Sequence, residues 1–316
     1  SRNYLQSHPY LSYTYRRTGK CSRKDINAYG FSGPEFPETR DPENFSILVL
    51  GGSFAEQSSR QKPEMGIPLE SVLNRKYISP NGKPFKIING AMVGGRQPMQ
   101  ATTLLMLAGL VDAVISIEGR GEFYAYGQNR RIVDSSLLPR DNGPTREDFL
   151  KYFFLLKAHD LFYFFQSNPL LKNSYFCYLL ASTILDFSSL NSNDYQQFFP
   201  SHPISFTDVE LKRAFVEEYS GYLRAMLGMA REHGLKLAVF LQPTPAIGKK
   251  LSTEELSVVG DLAYGKVYKE MAEELLKLKA QGIPIFSLLN TFSTLAESIY
   301  VDHTHLRNDG NLNGYL

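Results

Sequence analysis

The stretch Phe45-Ser46-Ile47-Leu48-Val49-Leu50-Gly51-Gly52-Ser53 decides the fold. A short apolar run that stops at two glycines has the pattern of a strand buried on both faces and meeting a turn. Such strands belong to parallel sheets covered by helices. The pattern recurs downstream. Residues 85–88 end at Asn89-Gly90, residues 112–117 at Glu118-Gly119, and residues 235–241 at Gln242-Pro243, while Ile283-Pro284-Ile285-Phe286 supplies a fifth run. Residues 68–77, 98–110, 209–233 and most of 256–279 read as helices, with Gly260 and Gly265 blurring the start of the last. Strands alternating with helices at these lengths predict βαβ units. The expected fold class is α/β, three-layer α/β/α, with a central five-stranded parallel sheet.

Two segments fall outside this alternation. Residues 1–45 are rich in Pro, Gly, Tyr and Arg and show no helical period, so they read as an irregular extension packed over the core. Residues from about 122 to 205 hold no clear strand and read as a helical insertion. Its aromatics, Tyr152 to Phe154, Phe162 to Phe165, Tyr175, Phe176 and Tyr178, have three readings: packing among insert helices, a lid or acyl-binding surface, or a membrane-facing patch. Residues 161–185 are interrupted by Gln166, Ser167, Asn168, Pro169, Lys172 and Asn173, which favours two amphipathic or buried helices over a membrane span. The expected organisation is an extension over 1–45 and a single domain over 46–316 carrying the insertion.

Composition narrows the function classes. Of 316 residues, 43% are hydrophobic and 21% charged, which excludes a disordered chain. A net charge of +2, from 34 basic and 32 acidic residues, is too small an excess to argue for a nucleic-acid partner. Two cysteines, Cys21 and Cys177, make neither a disulfide framework nor a zinc site by themselves, and their redox state stays open. The chain starts on Ser1 rather than Met, so a leader or anchor upstream is an open expectation.

In open parallel sheets, ligands bind at the carboxyl ends of the strands. Those ends carry Gly51-Gly52-Ser53, Asn89-Gly90 through Gly94-Gly95, Glu118-Gly119-Arg120-Gly121-Glu122 and Gln242-Pro243. Ser53 at a strand-to-helix junction has an exposed hydroxyl, and its N–H can face a developing oxyanion. It also fits a plain helix N-cap or a phosphate-binding turn, although neither a P-loop Lys-Ser/Thr nor a G-x-G-x-x-G is present. Near the other end stands Asp302-His303-Thr304-His305. Asp302 and His305 are three apart, so the carboxylate can orient the imidazole that accepts a serine proton. His303 is an alternative base, and Asp302 with both histidines an alternative metal site.

Taken together, these motifs resemble the SGNH/GDSL hydrolase family, with a flavodoxin-like sheet, over roughly residues 46–312. Gly51-Gly52-Ser53 is similar to the family's nucleophile motif, and Asp302-His303-Thr304-His305-Leu306 to its Asp-x-x-His. Asn89-Gly90-Ala91-Met92-Val93-Gly94 looks like the segment whose Gly supplies an oxyanion N–H, matching Gly94. Tyr13 to Gly33, and especially Asn27 to Gly33, is similar to the N-terminal extension of membrane-anchored bacterial members. The resemblance implies Ser53 as nucleophile, His305 as base and Asp302 as its orienting acid, with the N–H groups of Ser53 and Gly94 around the oxyanion. No cofactor or metal is expected. The implied substrate is a small-molecule or glycan ester, with O-acetyl groups on carbohydrate foremost. The implied location is outside the cytoplasm, behind an upstream membrane anchor.

The chain departs from the family twice. Gly-Gly-Ser replaces Gly-Asp-Ser, which leaves the serine intact. The family's Gly-x-Asn reads Gly119-Arg120-Gly121, so a third oxyanion donor is missing at Gly121. Arg120, Arg96 and Asn129 are the substitutes in reach of the sequence. Loss of one such donor typically lowers the rate about 10²–10³-fold. This motivates the competing expectation of a catalytically impaired glycan-binding or polysaccharide-assembly protein, while the resemblance itself also allows a carbohydrate O-acetyltransferase. Oligomeric state is not legible.

Overall fold

The computed structural model describes residues 5–8, 10–17, 25–59, 68–127, 168 and 209–307. The chain divides into two units, Ser1–Gly127 with Ser205–Leu316, and Gln128–Ile204. Most of the expected insertion, its aromatic stretch, Asn129 and both cysteines lie outside the described residues.

The N-terminal segment differs from the irregular extension expected of it. Two short strands, β1 (Leu5–His8) and β2 (Ser12–Tyr15), pair as an antiparallel ribbon. The alternation Tyr13-Thr14-Tyr15 is a period of two written in aromatic and β-branched residues, which suits a strand. Leu11, Thr14 and Tyr15 are buried, so the ribbon is part of the packed structure.

The central sheet comprises β3 (Phe45–Gly51), β4 (Phe85–Asn89), β5 (Ala113–Glu118), β6 (Lys236–Leu241) and β7 (Ile285–Ser287). All pairings are parallel, in the order β4-β3-β5-β6-β7. The α/β fold with five parallel strands stands as expected. β7 begins at Ile285 rather than residue 283, because Pro284 has no N–H to donate and contributes only its carbonyl, which accepts from Val239 N–H.

Every residue of β3 is buried, as a central strand covered on both faces requires. Ile47 and Val49 enter one apolar cluster with Phe54, Phe85, Phe292 and Leu306. Leu48 and Leu50 point the other way and close around Gly90 beside Thr103. Each such aliphatic side chain contributes about 1.5–3 kcal/mol by leaving water.

Helices cover both faces: α1 (Ser53–Ser59), α2 (Leu69–Lys76), α3 (Met99–Leu107), α4 (Arg120–Gly127), α5 (Val209–Glu232), α6 (Thr253–Val258) and α7 (Gly265–Leu276). α1 lies against β3, β4 and β5, while α5 packs on α3, α7 and β6. The helix expected over 256–279 is two helices, split where Gly260 takes a left-handed φ of 71°.

β3 has β4 on one side and β5 on the other, so the winding of the sheet reverses between β3 and β5. A crevice opens there at the carboxyl ends of the strands. The start of α1 and the start of α4 both stand at that crevice.

Candidate active site

Ser53 is the first residue of α1, separated from the end of β3 by Gly52 alone. Its Oγ lies 2.6 Å from His305 Nε2, and His305 Nδ1 lies 2.7 Å from Asp302 Oδ2. The other Asp302 oxygen, Oδ1, accepts the N–H groups of Thr304 and His305, each at 2.7 Å. Burial works against ionisation of Asp302. The His305 ring and the two N–H groups outweigh it and hold the carboxyl well below the usual carboxylate range. An ionised Asp302 requires a proton on Nδ1, which leaves Nε2 free to accept from the Ser53 hydroxyl. The ring that meets Ser53 belongs to His305 and not to His303.

The segment carrying Asp302 and His305 is held from two directions. Tyr300 and Leu306 bridge antiparallel, with Val301 N–H donating to His305 O and Arg307 N–H to Ile299 O, so residues 299–307 fold back as a tight loop. Gln57, one turn after Ser53 on the same side of α1, donates from Nε2 to Leu306 O at 2.6 Å and accepts Leu306 N–H at 3.3 Å. One helix therefore presents the serine and clamps the neighbour of the histidine. From below, buried Glu255 accepts the N–H groups of Ile299 (2.9 Å) and Tyr300 (3.1 Å) on Oε1. Its Oε2 takes Lys249 Nζ at 2.7 Å and Ser252 N–H at 2.9 Å.

Three glycine segments converge beside Ser53. A Cβ on Gly52 would sit 3.2 Å from Gly95 O, and one on Gly121 would meet only that same oxygen, at 3.9 Å. Gly94 occupies the third position of the turn Met92–Gly95, closed by Gly95 N–H donating to Met92 O at 2.8 Å. Its φ of 71° is what a type II turn demands at that place. Gly121 lies in the first turn of α4, where a Cβ would make only an ordinary van der Waals contact. Arg120 is buried, its guanidinium carbon 4.3 Å from the centre of the Tyr264 ring and 6.0 Å from that of Phe123. The structure thus sets Arg120 among aromatic rings.

Several residues here escaped the sequence reading. Glu122 accepts Gly119 N–H (2.9 Å), Gln97 N–H (3.0 Å) and Gln100 Nε2 (3.0 Å), which caps α4 and ties its start to the turn after β4. Glu118 accepts Gln97 Nε2 at 2.9 Å. Burial, and for Glu118 the neighbouring Glu122 charge, push both carboxyls above the ordinary range. The acidic pair around Gly-Arg-Gly was visible as residues, but nothing local marked it as buried. Tyr13, Tyr15, Gln57 and Glu255 were equally hidden, since their partners are remote in sequence. Among the described residues, no group of three or more His, Cys, Asp or Glu is arranged to hold a metal.

No protein-family profile and no curated protein sequence matches the chain. Among solved structures, the chain is similar to an extracellular lipase from Streptomyces rimosus, at 12% identity and a TM-score of 0.36, covering 86% of this chain and 96% of the lipase. A likeness at that level carries no argument about function, which rests on the site itself.

Proposed function

We propose that this chain is a serine ester hydrolase of SGNH type, with Ser53 as nucleophile, His305 as general base and then acid, and Asp302 as the group that orients His305. The observation that carries this reading is the unbroken hydrogen-bonded chain from Ser53 Oγ through both nitrogens of His305 to Asp302. In the proposed reaction, Oγ adds to the ester carbonyl and its proton passes to Nε2. The oxyanion faces the N–H groups of Ser53 and Gly94. Collapse expels the alcohol, which takes the proton from Nε2, and water then repeats the sequence on the acyl-enzyme.

The substrate class comes from the family resemblance: an O-acetyl or other O-acyl ester of a carbohydrate, met outside the cytoplasm by a domain anchored to a membrane upstream. A carbohydrate hydroxyl in place of water would make the same site an O-acetyltransferase. The test is covalent labelling. A fluorophosphonate probe is expected to label the intact chain at Ser53, mapped by peptide mass, and to leave Ser53→Ala unlabelled. Equal labelling of both chains would remove Ser53 from the mechanism.

Gly121 favours a second reading, an impaired hydrolase scaffold that binds glycan without turnover. The two readings separate on one substitution. Gly121→Asn restores the amide at the family's position, where its Cβ meets nothing closer than 3.9 Å. On the hydrolase reading it raises kcat on p-nitrophenyl acetate by about 10- to 100-fold, somewhat less than a native oxyanion donor contributes. No gain in a chain that already hydrolyses the ester would mean that the donors present complete the hole, and no turnover by either chain would favour the glycan-binding scaffold.

A further inference from the structure

We infer that Tyr13, from the N-terminal ribbon, is a positioning residue for the oxyanion donor at Gly94. The inference rests on the hydrolase reading above. Tyr13 Oη donates to Val93 O at 3.0 Å. The Val93 carbonyl and the Gly94 N–H are the two ends of one planar peptide unit and point in opposite directions, so fixing the first aims the second. That unit is the middle peptide of the Met92–Gly95 turn. A type II turn differs from type I by a flip of this peptide, which would reverse the direction of the Gly94 N–H. The Tyr13 hydroxyl lies only 2.8 Å from where a Gly94 Cβ would stand, so it touches the turn at this peptide.

The preceding peptide is held as well. Val93 N–H donates to Tyr15 Oη at 3.0 Å, and that hydroxyl donates to Glu56 Oε2 at 2.5 Å. Glu56 is buried in α1, one turn after Ser53. The ribbon therefore couples the helix that carries the serine to the turn that carries the proposed donor. Both links join residues 78 and 80 positions apart, which no local preference of the turn supplies.

The test is Tyr13→Phe, which keeps the ring and removes only the hydroxyl, compared with the intact chain and with Ser53→Ala. With p-nitrophenyl acetate, Tyr13→Phe is expected to lower kcat by about 10- to 100-fold, short of the full loss of a donor. KM and both limbs of the pH profile stay as in the intact chain, and the unfolding midpoint falls by no more than the loss of one hydrogen bond accounts for. Affinity for a trifluoromethyl ketone, whose carbonyl becomes an oxyanion when Ser53 Oγ adds to it, is expected to fall by the same factor as kcat. Unchanged kcat and ketone affinity in Tyr13→Phe, with Ser53→Ala inactive, would overturn the role of Tyr13 and leave the hydrolase reading standing. A loss confined to KM or to the unfolding midpoint would overturn it too, as a merely structural contact. Turnover that survives in Ser53→Ala, or is absent from the intact chain, would remove the hydrolase reading and this role with it.

Discussion

Replacing His305 by alanine is expected to lower kcat on an activated acetyl ester by about 10⁵-fold or more, with KM little changed. Loss of the base in a serine–histidine site is among the largest single effects known, because serine is a poor nucleophile without a proton acceptor. Here His305 Nε2 is 2.6 Å from Ser53 Oγ. Asp302→Asn should act through the same ring and more weakly, by about 10⁴-fold, since an amide no longer selects the tautomer with a proton on Nδ1. The effects of Ser53→Ala, His305→Ala and the double substitution should be nearly equal, because the residues act as a unit. Stopped assays on all three chains would measure this. Additive losses, or a His303→Ala loss as large as that of His305→Ala, would contradict the proposed roles.

Glu255→Ala is expected to destabilise the fold by about 3–5 kcal/mol in urea unfolding, the range for removing one partner of a buried ion pair. Glu255 and Lys249 have fully buried side chains, so the substitution leaves the Lys249 ammonium without its carboxylate. It also releases the N–H groups of Ile299 and Tyr300, which hold the loop that carries Asp302 and His305. Activity should therefore fall in parallel with loop order. Burial disfavours the charged form of Glu255, yet Lys249 and the N–H groups of Ser252, Ile299 and Tyr300 outweigh it and bring the carboxyl down to about 2. An unfolded-chain glutamate titrates near about 4.3. Between these values the unfolded chain binds more protons, so this stabilisation is complete above about 4.5 and drains away as the pH falls toward 2. Glu255→Gln should flatten that part of the acid-denaturation curve. A loss under about 1 kcal/mol for Glu255→Ala would show that Lys249 finds water or another partner.

The sheet was legible because its signals are local. Apolar runs that stop at Gly or Pro mark buried parallel strands whatever the rest of the chain does, and each of the five lies within two residues of its expected start. The split of α6 from α7 was harder to read. A helical period survives the insertion of Gly260, and only the backbone shows that it turns left-handed there. The N-terminal ribbon was missed because four-residue strands leave too short a pattern for a period of two to stand out.

By itself, the sequence determined the α/β class, the strand ends and the pairing of Asp302 with His305, which are three residues apart and meet through a local turn. The tertiary structure brought His305, the base that its spacing from Asp302 and the family resemblance imply, to Ser53 across 252 residues. It also decided that Tyr13 reaches the Val93–Gly94 peptide and that Glu255 holds the loop beneath His305. Local elements follow from short-range sterics and hydrophobic period. A site assembled at the carboxyl ends of strands depends on how crossovers bring distant loops to one edge, and no window of sequence carries that distance.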